Sequence, residues 1–386
     1  MIWAWINDPK ALQASGNSTG IFFMLNYLYD DTPDHGTTRE VMPGVRWLRM
    51  PLPMALDHIN LYLIEDHDGW WVIDTGMAIG PTQALWEEIF AKELGDKPVK
   101  AVLCTHMHPD HIGMAGWLCE KWRVPLYMTR AEYQSGLNFT RMEKHHFSWT
   151  SEEHYTRSGF KPDQIEKMRE KYGGFSSIVT PMPGAYNRLH DGDSLLINGQ
   201  RWRIIVGSGH SPEHACLFCE SLNVLISGDQ VIPRITSNVS VSSGEPEGNP
   251  LKEWLASHEY FLNVLPSDSL VLPAHNTPFY GLHERLRFLI DHHGEHLLAL
   301  EQALTERSQN AMELLPVLFK RKLSNEHIGL AVGECVAHLN FLHQRGQVSR
   351  EVDADGHYVY RSVDDTLPQR LRQQKHRAIE DVPVQV

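Results

Sequence analysis

Cysteine is scarce in this chain, with five residues in 386. An odd set without framework spacing (Cys104, Cys119, Cys216, Cys219 and Cys335) excludes a fully paired disulfide scaffold and fits a reducing cytoplasm. Cys216 and Cys219 form one C-x-x-C. A zinc ribbon needs a second such pair, so these two are expected to be ordinary residues of a buried strand. Nowhere do about 20 apolar residues run together, which argues against a membrane-spanning helix. The N-terminal residues lack the basic start and continuous apolar run of a secretion signal, so a cytoplasmic location is expected. Positive charge is also limited, with 35 Lys and Arg against 48 Asp and Glu, a net −13. That balance disfavours a nucleic-acid partner unless a local basic patch overrides it. What the chain does hold is histidine, 23 residues, within a composition 42% apolar and sufficient for a core.

The pattern along the chain indicates an α/β protein. Residues 1–44 are rich in Asp, Gly, Pro and Thr and are expected to form an irregular arm, poorly ordered before Met24. From Val45, "VRWLRMPLP", "HINLYLIE" and "GWWVIDTG" read as strands, with Ile59, Leu61 and Leu63 alternating. Ala84 to Leu94 has helical spacing. "VKAVLCTH", a helical "GMAGWLCEKW" and the strand "VPLYMT" follow, so strands and helices alternate. Residues 130–185 are polar and helix-prone and are expected as an insertion. Strand-like runs resume in "SLLING", "QRWRIIVGSGH", "HACLFCE", "NVLISGDQVI" and "DSLVLPAH". After residue 281 the pattern becomes helical: Leu282 to about Glu306, then Ala311 to Lys320. A third helix has the stripe Val332, Cys335, Val336, Leu339 and Leu342 and a Gly346 cap. A hairpin turning at Asp355–Gly356 follows. These readings divide the chain into an arm (1–44), a catalytic domain (45–281), a small winged-helix-like domain (282–365) and a loose tail (366–386).

The chemistry concentrates in "THMHPDHIG", Thr105 to Gly113. His106, His108, Asp110 and His111 sit together just after an apolar strand. Imidazole nitrogen and carboxylate oxygen are donors for a borderline-soft dication such as zinc. His106 and His108 can converge on one ion, while Asp110 and His111 serve a second a few ångströms away. Pro109 stiffens the loop between them. Further donors stand where other strands run out: His210 in "GSGHSPEH", Asp229 in "LISGDQVI" and His275 in "LVLPAH". A carboxylate between apolar runs, such as Asp229, needs a compensating cation or hydrogen bonds, and a position between two metals would supply the cation.

H-x-H-x-D-H followed by G-H-S, S-G-D and P-A-H resembles the metallo-β-lactamase superfamily in its hydrolase branch, over roughly residues 45–280. The resemblance implies a four-layer αβ/βα sandwich. It also implies one site of His106, His108 and His210 and a second of Asp110, His111 and His275, with Asp229 bridging. Asp74 in "VIDTG" matches the acidic residue placed beneath the metal loop, where it would orient ligands. The implied cofactors are two divalent ions, zinc favoured, with iron or manganese able to occupy mixed N/O sites. The implied reaction is hydrolysis by a hydroxide shared between the metals, from a water whose pKa falls to about 7, with Asp110 and Asp229 handling the proton.

The substrate is less legible. "GSGHSPEHACL" is most similar to a glyoxalase-II-like branch, while the C-terminal helices resemble the winged-helix appendage of a lactamase-B2-like subgroup that includes a ribonuclease-like member. An ester or thioester of a small acyl substrate is the favoured expectation. Alternatives are an endoribonuclease or phosphodiesterase, a lactone or β-lactam hydrolase and, outside catalysis, a nucleic-acid-binding protein with a structural metal. Residues 301–361 carry seven Lys and Arg against eight acids, which is near neutral and unlike a nucleic-acid reader. The C-terminal helices would then shape the acyl pocket or a homodimer contact. His214, Asn238 and Tyr186 are candidates for ligand support or substrate contact. Phe139, Phe147, Trp149 and Tyr155 are candidates for pocket lining. The pairs His145–His146 and His292–His293 are expected to be solvated.

Overall fold

The computed structural model describes residues 25–54, 56–141, 147–171, 174–320, 323 and 327–367. In chain order the strands of the first part are β1 (Asn26–Tyr27), β2 (Thr38–Met42), β3 (Val45–Pro51), β4 (His58–Asp66), β5 (Gly69–Ile73), β6 (Val99–Leu103), β7 (Leu126–Thr129) and β8 (Asn187–Leu189). Then come β9 (Ser194–Ile197), β10 (Gln200–Gly207), β11 (His214–Cys219), β12 (Val224–Gly228), β13 (Leu270–Pro273) and β14 (Phe279–Tyr280). The helices among and after them are α1 (Thr82–Lys92), α2 (Pro109–Ile112), α3 (Ala115–Trp122), α4 (Arg130–Arg141), α5 (Trp149–Arg157), α6 (Pro162–Lys171), α7 (Pro250–Val264) and α8 (Leu282–Glu306). Two helices, α9 (Ala311–Leu318) and α10 (Ile328–Gln344), and a hairpin, β15 (Val348–Val352) with β16 (Tyr358–Ser362), complete the described chain.

The chain divides into two compact units. The first comprises the described residues of Met1–His146, Glu170–Val239 and Lys252–Ile290. It holds two seven-stranded sheets, in the orders β2-β3-β4-β5-β6-β7-β8 and β1-β14-β13-β12-β11-β10-β9. The facing sides share one core, in which Trp47, Tyr62, Ile64 and Ile73 of the first sheet meet Trp202, Ile204, Leu217 and Leu272 of the second. On the outer side of the first sheet, Ile59, Leu61 and Leu63 pack with Trp86 and Ile89 of α1 and Leu118 of α3. On the outer side of the second, Ile205, Phe218 and Val271 pack with Phe261 of α7 and Leu286 and Leu289 of α8. This is the four-layer helix–sheet–sheet–helix sandwich. It explains why β4 departs from simple alternation: both of its faces are covered, so Tyr62 and Ile64 are as deeply buried as Leu61 and Leu63.

The N-terminal segment differs from the irregular arm expected for 1–44. Asn26–Tyr27 pairs with β14, and Thr38–Met42 pairs with β3, so two pieces of it add edge strands, one to each sheet. Hydrogen bonding to an existing edge satisfies backbone groups without an apolar pattern in the added strand. The residues before Met24 and most of the expected tail lie outside the described residues.

The second unit comprises the described residues of Phe147–Arg169, Ser240–Leu251 and Asp291–Val386. Its grouping differs from the expected break after residue 281. Helix α5, expected as part of an insertion into the catalytic domain, belongs with the C-terminal segment: Arg157 donates to the Gly356 carbonyl (2.9 Å), and the Met312 amide donates to the Ser158 carbonyl (3.3 Å). Within this unit α10 buries the expected stripe, and Asn340 Nδ2 donates to the Pro246 and Gly248 carbonyls, both 3.0 Å. The hairpin turns at Asp355–Gly356, with Gly356 at φ +86°. Of the His292–His293 pair, expected to be solvated, His293 is fully buried: its face of α8 meets His338 of α10. His145–His146 lies outside the described residues. Trp149 is 73% exposed, while Phe147 stacks with Tyr155 in this unit and Phe139 with Phe175 in the first.

Candidate metal centre

Five strands of the first unit end in loops that supply the site. Strand β6 runs into Thr105–His111, β5 into Asp74, β10 into His210, β12 into Asp229 and β13 into His275. Strands paired within the two sheets fix where each loop begins, so residues far apart in the chain arrive at one place.

His106, His108, His210 and Asp229 each present a donor atom within 4.8 Å of one another, and so do Asp110, His111 and His275. Asp229 stands between the groups. Its Oδ2 is 3.3 Å from His210 Nε2, 3.6 Å from His111 Nε2 and 3.8 Å from His106 Nε2, while Oδ1 is 3.2 Å from His275 Nε2. Asp110 Oδ2 is 3.8 Å from His111 Nε2 and 3.6 Å from His275 Nε2.

The imidazoles are aimed from behind. His210 Nδ1 donates to the Asn238 carbonyl (2.9 Å), and His275 Nδ1 donates to the His58 carbonyl (3.0 Å). His111 Nδ1 is 2.8 Å from Asp74 Oδ2. Thr105 Oγ1 donates to Asp74 Oδ2 (2.9 Å) and can therefore accept from His106 Nδ1 (3.1 Å). With each Nδ1–H directed outward, the Nε2 lone pairs face inward, the tautomer a metal ligand needs. Asp74 also accepts from the Thr105 amide (2.7 Å) while holding φ +59°, a conformation uncommon for a residue with a Cβ. Its role at the base of the loop is thus hydrogen bonding to the ligands rather than contact with an ion.

The interior of the cluster is short of hydrogen-bond partners. Both Asp110 carboxylate oxygens, Asp229 Oδ1, His111 Nε2 and His275 Nε2 are buried without one. Such orphaned polar atoms are costly in a protein interior, and cations in their midst would satisfy them. The residues present therefore fit a divalent-metal centre. Electrostatics agree. Burial pushes the Asp229 carboxyl up, but His275, His111 and His210 outweigh burial and hold it well below the usual carboxylate range. Burial, then the neighbouring imidazoles, hold His106 well below the usual histidine range. His111 lies well above that range, because Asp74, Asp110 and Asp229 outweigh its burial.

The other sequence candidates separate. His214 is fully buried, stacks on His106 at 4.7 Å between ring centroids, and accepts from the Asp229 amide through Nε2 (3.1 Å). It sets the Asp229 loop. Asn238 reaches the cluster through its backbone carbonyl. Tyr186 stacks on Tyr133, centroids 3.9 Å apart. One supporting residue was not singled out from the sequence. Glu132, fully buried at the start of α4, accepts from the Met107 amide (2.9 Å) and the Glu213 amide (2.7 Å), tying the His106 loop to the His210 loop. A carboxylate three residues after the apolar strand "VPLYMT" was the available signal.

Known proteins resemble this chain in sequence and fold. Residues 55–305 match the family model of the metallo-beta-lactamase superfamily, and residues 297–363 match that of a metallo-beta-lactamase-like C-terminal domain. A beta-lactamase domain protein from Burkholderia ambifaria is 41% identical, with TM-score 0.82 over 88% of this chain and 98% of its own. The metallo-beta-lactamase family protein TTHA1429 from Thermus thermophilus is 29% identical, with TM-score 0.70 over 84% of this chain and 100% of its own. The probable metallo-hydrolase YqjP of Bacillus subtilis (strain 168) is 23% identical over 312 residues, 79% of this chain and 93% of its own. A paired-sheet sandwich whose strand ends gather a metal-binding His and Asp cluster, matched along most of its length, belongs to the metallo-beta-lactamase superfamily of metallo-hydrolases.

Proposed function

We propose that this chain is a dinuclear metal-dependent hydrolase acting on an ester or thioester of a small acyl substrate. The observation that carries the dinuclear reading is Asp229, which stands between the two donor groups: Oδ2 is 3.3 Å from His210 Nε2 of one and 3.6 Å from His111 Nε2 of the other, and Oδ1 is 3.2 Å from His275 Nε2. His106, His108 and His210 would hold one ion and Asp110, His111 and His275 the other. Five imidazoles and two carboxylates suit zinc, with iron and manganese as the other ions that accept mixed N/O donors. When bound, such a pair polarises the scissile carbonyl and makes a nucleophile of water at neutral pH. The residues do the positioning. Asp229 faces both groups and offsets their charge, and Asp110 offers a carboxylate to take the released proton. Met107 and His108 are partly exposed while their loop neighbours are buried, which leaves that side of the loop to the substrate. The ester or thioester class is supported by the resemblance of the Gly207–Leu217 loop to the glyoxalase-II-like branch.

The test is a substrate panel on zinc-loaded protein: thioesters, carboxylic esters, lactones, β-lactams, phosphodiesters and sulfate esters. We expect kcat/KM for esters or thioesters at least about tenfold above the others. A phosphodiester or lactone in first place would overturn the substrate class and leave the metal centre standing. Replacing His106 or Asp229 with Ala should remove bound metal and turnover together; full turnover in metal-free H106A would end the metal-dependent reading.

A further inference from the structure

The second unit contains a cluster of imidazoles outside the centre described above. His293 and His296 lie three residues apart on one face of α8, and His338 lies on α10. One ring nitrogen from each falls within 4.8 Å of the others. His293 and His338 are fully buried and His296 is half-buried. All seven residues of the catalytic cluster belong to the first unit, so the two sets share no residue.

The hydrogen bonding prepares these rings for a ligand. His338 Nδ1 donates to the Glu334 carbonyl one turn earlier (2.8 Å), which leaves Nε2 with its lone pair. That Nε2 accepts from His293 Nδ1 (3.1 Å), a hydrogen bond that a cation would replace with the His293 proton moved to Nε2. His296 Nδ1 is buried with no hydrogen-bond partner. A tetrahedral ion with Zn–N bonds of 2.0–2.1 Å holds its ligands about 3.3 Å apart, so the His293–His338 pair needs little adjustment. His292 stands at the rim, its ring centroid 4.1 Å from that of His296, and is the nearest further imidazole for a fourth position. Lys320 lies close enough to His296 to oppose added positive charge, but it is exposed and screened by water.

We propose that His293, His296 and His338 form a zinc site that staples α8 to α10, separate from the catalytic centre. Three nitrogen donors without a carboxylate or thiolate suit zinc, nickel or copper and disfavour magnesium or calcium. No proton transfer or bond cleavage is required of it. Its effect is on stability, because a cation bound only by the folded unit favours that state by mass action.

The test compares the full-length chain with His296→Gln and His338→Gln. Each protein is stripped with a chelator, reloaded with Zn2+, dialysed and assayed for bound metal. We expect each variant to hold one metal equivalent fewer than the unaltered chain and to keep its hydrolase activity. The zinc-dependent rise in thermal midpoint should also shrink in both. In Co2+-loaded protein, the visible absorption of one ion should be lost. His296 is half-buried, so His296→Gln is the informative variant should His338→Gln fail to fold. A folded His296→Gln protein, checked by circular dichroism, that retains the full metal content overturns the proposal. The measurement is a difference between proteins, so its outcome does not depend on how many ions the catalytic cluster holds.

Discussion

Gly228 holds φ +51°, and a Cβ built there would come within 2.5 Å of His214 Nε2. That ring cannot withdraw cheaply, since it accepts the Asp229 amide and packs on His106. Gly228 thus serves twice: it supplies a left-handed conformation and it leaves room for the residue that fixes Asp229. Gly228→Ala should displace Asp229 from between the two donor groups. We expect metal affinity to fall about 10–100-fold, the usual cost of losing an outer support, with turnover falling alongside. Metal titration and steady-state kinetics check this, and unchanged affinity would show that the turn absorbs a methyl group. At this scale the clustering of the donors was readable because the segments that carry them follow apolar runs, where strand pattern and donor chemistry coincide. The role of His214 was not readable: its spacing from His210 is equally compatible with substrate contact, and only the fold places it under the Asp229 amide.

Helix α4 joins two loops of the site through one side chain. Glu132 accepts amides 25 and 81 residues away, and a neutral amide in its place would turn an N–H toward one of them. Glu132→Gln is therefore expected to weaken metal binding by about tenfold or more while leaving α4 intact. The readout is metal affinity alongside far-ultraviolet circular dichroism; a protein that binds metal normally would show that the two loops hold their places without the clamp. Elements with strong apolar patterns were legible from sequence: the strands ending at the site, α8, and α10 with its buried stripe. The two-residue strand Asn26–Tyr27 was not, because a pairing that short rests on backbone bonds to β14 and carries no periodicity. The burial of His293 escaped the sequence for a related reason. An adjacent His pair on a polar helix reads as a solvated face, and only the pairing of α8 with α10 covers it.

Across the molecule, the division into units cuts through the chain order. Phe147–Arg169 and Ser240–Leu251 group with the C-terminal segment, although both lie between strands of the first unit. A sequence read in order shows where composition changes but not which distant segment a helix packs on, so the helical character of residues 130–185 was legible and its membership was not. The second unit also carries an acid sensitivity of its own. His154 of α5 is buried, and burial lowers its pKa from the ordinary 6.5 to about 4. Between those values the unfolded chain takes up a proton that the folded chain does not. His154 therefore adds to stability fully above pH 6.5, loses that contribution as the pH falls towards 4, and changes little below it. The separation corresponds to on the order of 3 kcal/mol, reduced by whatever water reaches the ring. His154→Gln removes the titration and keeps a polar side chain. Denaturant unfolding of metal-free protein from pH 7 to 4, followed by circular dichroism, should give a shallower loss of stability for the variant than for the unaltered chain. The other buried histidines titrate in both proteins and cancel in the comparison, so parallel curves would mean that His154 accepts its proton in the folded state without cost.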